Sequence, residues 1–255
     1  GKDPADRSEG TPEAEKSCPL QANPGLPHMR RNGESSCAGA KENFQKRLDR
    51  ILEEISEKGE RKRLLLHACC APCSSAVLEY LSRYFQITIL FYNPNIETEE
   101  EYLRRAGELK RLLLEMGLSE IRLLLSSYRH EEFLAVSRGL EREPERGKRC
   151  RECFRLRLEK TAEEERRLEL QGEHFDYFCT TLSLSPLKDA ALLNRLGTEI
   201  AERQGLHYLP SDFKKGNRFL RSVQLSKEYS LYRQDYCGCE FSREEAGRRR
   251  APSVS

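Results

Sequence analysis

Between residues 44 and 55 the apolar positions fall at Phe44, Leu48, Ile51, Leu52 and Ile55. That spacing returns to one face every three or four residues and predicts an amphipathic helix. The pattern then changes. "RLLLHA" at 63–68 is a short continuous apolar run, as a buried strand requires, and Ser74 to Tyr84 reads as a helix opened by a Ser cap. "ITILFY", rich in β-branched and aromatic residues, predicts a second strand. Thr98-x-x-Glu101 is a capping box; the helix behind it carries Tyr102, Ala106, Leu109, Leu113 and Met116 on one face and stops at Gly117. "IRLLL" and "FDYFCTTL" predict two more strands, with a charged helix between them whose inner stripe is Phe154, Leu158 and Ala162. Lys188 to Gln204, ended by Gly205, predicts another helix, and "LHYLP" a fifth strand.

Strands alternating with helices imply right-handed crossovers and a parallel sheet covered on both faces. The expected fold is α/β: one Rossmann-like domain, of the adenine-nucleotide hydrolase-like kind, with a mostly parallel sheet and a C-terminal helical segment. Residues 1–40 hold five Gly and five Pro and no Val, Ile, Phe or Tyr. Such a stretch buries too little apolar surface to offset its ordering entropy. Residues 1–40 and 243–255 are therefore expected as disordered tails around a domain at 41–242.

Charge changes the picture little: 44 basic against 42 acidic residues leave a net charge of +2, which excludes a globally basic nucleic-acid binder. No apolar run has the length of a transmembrane helix and the N-terminus has no leader-like apolar core, so an intracellular, cytoplasmic protein away from membranes is expected. Cysteine changes the picture most. There are ten, and in a reducing compartment clustered thiols point to metal or redox chemistry rather than structural disulfides. Cys69-Cys70-x-x-Cys73 follows the first strand, Cys150-x-x-Cys153 a loop-to-helix junction, and Cys237-x-Cys239 lies near the end; Cys18, Cys37 and Cys179 stand alone.

In open parallel sheets, sites form beyond the carboxyl ends of the strands. Nucleotide-binding relatives of this architecture place a Gly-rich phosphate loop after the first strand. Here no glycine lies between Gly59 and Gly107, which argues against ATP. Thiols occupy the place instead. Four converging thiolates match structural zinc or an iron–sulfur cluster. The adjacent Cys69 and Cys70 are unusual for the spaced knuckles of a zinc ribbon and favour iron–sulfur. A disulfide across one residue, Cys237 to Cys239, closes a strained and readily reduced ring. That suits electron relay, with further metal ligands as the competing reading.

Taken with their order and spacing, "HACCAPC", "FYNPNI", "RCRECFRLRLEKTA", "TTLSLSP" and "LYRQDYCGC" resemble the QueH-type epoxyqueuosine reductases over residues 61–242. The resemblance implies reduction of epoxyqueuosine to queuosine at the tRNA wobble position, the last step of queuosine biosynthesis. It also implies a [4Fe–4S] cluster with a further iron nearby, and no cobalamin. Carried over residue by residue, Cys69, Cys70, Cys150 and Cys153 are the expected cluster ligands and Cys237 and Cys239 the redox-active pair. Cys73 stands where some relatives have Asp and is the expected ligand of the extra iron. The implied partners are a tRNA with a GUN anticodon carrying epoxyqueuosine and an electron donor that the sequence does not specify. Weaker candidates are His67, Asn93, Asn95, Thr180, Thr181, Ser183, Ser185, Asp212, Tyr232 and Arg233, each with an ordinary structural role as its alternative. The basic stretches "KRCRECFRLRL" and "DFKKGNRFLR" are candidate phosphate contacts. Two other classes compete: a tRNA-thiolating α/β enzyme, which needs the missing Gly-rich loop, and a zinc-stabilised RNA-binding module, which would be colourless.

Overall fold

The computed structural model describes residues 42–250; residues 1–41 and 251–255, including Cys18, Cys37 and most of the expected tails, lie outside the described residues. In chain order the elements are α1 (Phe44–Glu57), β1 (Lys62–His67), α2 (Ala71–Leu81), β2 (Phe85–Phe91), α3 (Glu99–Glu115), β3 (Arg122–Leu125), α4 (His130–Ser137), α5 (Lys148–Glu169), β4 (Tyr177–Thr180), α6 (Ala190–Gln204), α7 (Arg218–Glu228) and α8 (Glu240–Arg250). The four strands form one parallel sheet in the order β3-β2-β1-β4. The chain steps outward from β1 to β3 and then returns to the other side of β1, so the order reverses at β1, where ligands bind in this class of sheet.

Alternation along β1 divides the core. Leu64 and Leu66 pack with residues of α1, α2 and α3, whereas Leu65 packs with Phe154 and Leu158 of α5 and Leu193 and Leu196 of α6. Successive strand side chains point to opposite faces, so both faces of the sheet are covered and its strands read as apolar runs. Among the described residues no helix is long and apolar enough to cross a membrane.

Several boundaries differ from those expected, and the differences place the chemistry. The helix expected from Ser74 begins at Ala71, with Cys70 at its N-cap and Pro72 in its first turn. Proline is tolerated there because first-turn N–H groups have no partner within the helix. Ser74 and Ser75 are not caps: their hydroxyls donate back to the carbonyls of Cys70 (2.8 Å) and Pro72 (3.0 Å). The helix expected from Lys188 begins at Ala190. Asp189 caps it, accepting from the N–H of Ala191 (2.9 Å) and Leu192 (3.1 Å), which leaves Lys188 in the loop.

The expected fifth strand, Leu206 to Pro210, is a correction. It makes an isolated parallel bridge, Phe178 to Tyr208, and no more. Pro210 has no N–H to continue a ladder, and Asn194 captures the next residue, accepting from Ser211 N (2.9 Å) and donating to Ser211 O (2.8 Å). Helix α4 was not expected. The C-terminal boundary expected at 242 falls inside α8, which continues to Arg250.

Candidate metal centre

Pairing of β1 with both neighbours brings His67 level with Leu90 of β2 and Thr180 of β4. The loops leaving β1, β2 and β4 therefore emerge at one rim of the sheet. At this rim Cys69, Cys70 and Cys73 lie with their sulfur atoms all within 4.8 Å of one another, the tightest grouping of metal-ligating side chains among the described residues. Local geometry makes the cluster. The chain leaves β1 through Ala68, Cys69 and the extended Cys70 and winds at once into α2, so the first turn of that helix brings Cys73 back to the doublet.

The electrostatics favour one charge there. Hydrogen bonds from the Cys70 and Cys73 thiols, acting against burial, hold Cys69 well below the usual thiol range. Through the same contacts with Cys69, Cys70 and Cys73 are pushed up. Hydrogen bonding within the triad thus favours the thiolate at Cys69 over its two neighbours, helped by the N-terminus of α2 and by Thr181, whose hydroxyl lies 3.5 Å from Cys69 Sγ. Such a set is short of positive charge and fits a soft cation.

A cavity of about 250 Å³ opens on the triad, walled also by Asn93, Asn95, Arg157, Lys188 and Cys237. A smaller adjoining cavity carries Cys150, Cys153, Cys237 and Cys239, and shares Asn95, Arg157 and Cys237 with the first. The doublet near residue 70 and the pair near residue 152 therefore meet across a common wall, but Cys150 and Cys153 stand outside the tight triad. All eight described cysteines are free thiols. Burial pushes Cys153 up to about 12 and Cys239 up to about 11. Neither favours the thiolate without a cation beside it.

Cys237 and Cys239 are pinned by glycine. Gly238 has φ +132°, and a Cβ there would meet Asn95 Nδ2 and Ile96 Cγ1 at 3.1 Å and Arg105 Nη1 at 3.2 Å. The segment is clamped to the loop after β2: Glu97 N donates to Gly238 O (3.0 Å), and Arg105 Nη1 donates to Cys237 O (3.1 Å).

The weaker candidates divide. His67 is fully buried, its Nε2 donating to Tyr92 O (2.9 Å) and its Nδ1 accepting from Thr180 Oγ1 (2.9 Å). Burial lowers it to about 4, so it is a neutral, satisfied strand histidine. Asn93 and Asn95 are buried in the cavity wall with side-chain carbonyl oxygens that no protein group pairs, as a ligand-binding wall requires. Ser185 and Arg233 also line the cavity. Ser183 is taken up in the core by Ser211 and Phe213 N, and Asp212 pairs with Lys214 at 2.8 Å. Tyr232 bonds Glu101 and stacks under Arg104. Cys179 is buried in β4 as a core residue.

Arg157 and Lys188 escape a reading of the sequence. Arg157 interrupts an apolar stripe, and the sequence pattern puts Lys188 inside a helix. The signal for Lys188 was present, because Asp189 before "AALL" is itself an N-cap pattern.

Comparison with known proteins agrees with the geometry. The family model described as epoxyqueuosine reductase QueH matches residues 64–245. The chain is 39% identical over 211 residues to the epoxyqueuosine reductase QueH of Staphylococcus epidermidis, covering 80% of this chain and 86% of the relative. It is 40% identical over 206 residues to that of Streptococcus pyogenes (78% and 79%), and 32% identical over 182 residues to that of Thermotoga maritima (70% and 89%). The chain belongs to the epoxyqueuosine reductase QueH family of oxidoreductases.

Proposed function

We propose that this protein reduces epoxyqueuosine to queuosine at the wobble position of tRNAs with a GUN anticodon, the last step of queuosine biosynthesis. The observation that carries the reading is the convergence of Cys69, Cys70 and Cys73 within 4.8 Å at the mouth of a cavity, at the strand where the sheet order reverses. Cys69, Cys70, Cys150 and Cys153 would hold a [4Fe–4S] cluster and Cys73 a further iron. A Rossmann-like label for the fold suits the β3-β2-β1-β4 order.

The reaction breaks both C–O bonds of the epoxide, forms a C=C bond and releases the oxygen as water, at the cost of two electrons and two protons. Side chains alone do not deliver electrons singly at such a centre; a bound iron–sulfur group supplies that chemistry. The chain's own residues do the rest. Asn93 and Asn95 offer unpaired carbonyl oxygens to a substrate in the cavity. Lys188 keeps an ammonium at the cavity wall; burial opposes that charge, but Cys237, Cys69 and Cys73 outweigh it and hold the ammonium above its usual range. Cys237 stands in the walls of both cavities and, with Cys239, is the redox-active pair that passes electrons inward from the donor. A modified base splayed from an anticodon loop is the kind of RNA group recognised unstacked in such a cavity. Phe219 and Arg233 stand at the same cavity to meet it.

The test is anaerobic purification followed by reaction with epoxyqueuosine-containing tRNA. A brown protein with broad visible absorbance, and digestion products that have lost one oxygen, are expected. A colourless zinc protein that leaves the epoxide intact would establish the binding-module alternative.

A further inference from the structure

Three arginines are almost fully buried: Arg105 and Arg149 at 2% exposure and Arg157 at 1%. A guanidinium stays protonated in proteins, so burial demands a counter-charge. Two of the three have a carboxylate. Arg105 Nε lies 2.6 Å from Glu101 Oε1, and Arg149 Nη2 lies 3.6 Å from Glu245 Oε1. Among the described residues no carboxylate pairs with Arg157. Its Nε donates to the carbonyl of Cys153 (3.3 Å) and its Nη2 to Cys153 Sγ (3.3 Å). The same side chain walls both cavities, and the groups that favour its charge are the sulfurs of Cys153, Cys237, Cys69 and Cys150. The counter-charge of Arg157 is therefore sulfur, and it exists in full only when those sulfurs are thiolates holding a cation.

We infer that Arg157 is the fixed counter-charge of the metal centre, a positioning residue that anchors Cys153 and, by offsetting the negative charge of the thiolate ligands, raises the reduction potential of the centre. Hydrogen bonds to ligand sulfurs and nearby charge are the means by which a protein sets such a potential. The inference rests on the iron-binding reading above and deepens it. It makes Arg157 different in kind from Arg149, whose charge is opposed by a carboxylate, Glu245 at 3.6 Å, and lies over the face of Phe241, even though its Nε and Nη2 have no hydrogen-bond partner.

The test is a redox titration of the full chain, anaerobically reconstituted and followed by electron paramagnetic resonance, for the wild type, Arg157→Met and Arg157→Lys. At the wild-type midpoint the ratio of reduced to oxidised centres should be about tenfold lower in Arg157→Met, a negative shift of about 59 mV for one electron. Arg157→Lys should recover most of the shift. A metal-loaded Arg157→Met at the wild-type potential overturns the inference. If Arg157→Met does not fold, Arg157→Gln, neutral but able to hydrogen-bond Cys153, carries the same measurement. A second readout needs no turnover: chelating the metal should lower the denaturation midpoint of the wild type more than that of the neutral variant, because only the wild type then buries a guanidinium with an incomplete counter-charge. Equal losses overturn it. A wild type that binds no iron defeats the underlying reading. A wild type that binds iron beside a neutral variant of unchanged potential defeats this inference alone.

Discussion

Helix α5 buries two ionisable side chains in its middle and C-terminal turns, Arg157 and Glu165, and the two behave oppositely. Arg157 and Glu165 are eight residues apart, on the same side, each 1% exposed, with Thr161 between them. Around Arg157 lie thiols, and its charge persists. Glu165 has burial, Glu169 and Asp176 against its charge and a single favourable neighbour, Arg166, so its carboxyl is pushed up to about 8, and its Oε2 has no hydrogen-bond partner. The lesson is that a buried ionisable group does not by itself mark a site. Burial neutralises a group where it can, as at Glu165. Where it cannot, as with a guanidinium, the neighbours must supply the opposite charge, and those neighbours mark the chemistry.

The largest effect is expected from breaking the sulfur end of this comparison. Cys69→Ala should abolish iron binding and turnover together, measured as metal content and conversion of epoxyqueuosine tRNA. Full iron content in that variant would mean that Cys69 is not a ligand. Cys237→Ser should lower turnover roughly 100-fold while iron content holds. Iron lost in proportion would make Cys237 a ligand rather than half of a redox pair.

The carboxyl end is sharpened by pH. Glu165 has a folded-state pKa raised from 4.5 to about 8, so between those values the folded state binds the extra proton. Stability is therefore fully supported below about 4.5, falls as pH rises, and has lost this contribution above 8. Glu165→Gln should flatten that fall, gaining on the order of 5 kcal/mol over the wild type at pH 9 and much less at pH 5. Parallel denaturation midpoints for the two proteins across this range would mean that Glu165 finds a partner after all. The smallest effect is expected at Gly238→Ala, where the positive φ and the 3.1 Å approach of Asn95 should cost about 1–2 kcal/mol and lower the melting temperature by about 2–4 °C per kcal/mol. An unchanged melting temperature would mean that the Cys237–Cys239 segment is free to move away from the loop after β2.

What the sequence by itself determined is whatever depends on near neighbours in the chain. Apolar spacing placed α1, α3, β1 and β2, because a strand or an amphipathic helix is visible in its own period. Half of the capping box at Thr98 is realised: its hydroxyl accepts from Glu101 N at 3.3 Å, while the Glu101 carboxylate is taken by Arg105 and Tyr232. The triad was legible too, because a strand end and one helical turn suffice to bring Cys69, Cys70 and Cys73 together. Only the tertiary structure decided that Cys150 and Cys153, on α5, should face Cys237 and Cys239 across a cavity. That depends on α5 packing against β1 and β4 and on Gly238 fitting against the loop after β2, at separations that no local period records. Nor was the status of Arg157 legible, since a lone arginine in an apolar stripe looks like a misfit until the sulfurs around it are in place. Chain connectivity carries short-range geometry, but charge compensation is a property of what surrounds a group in space.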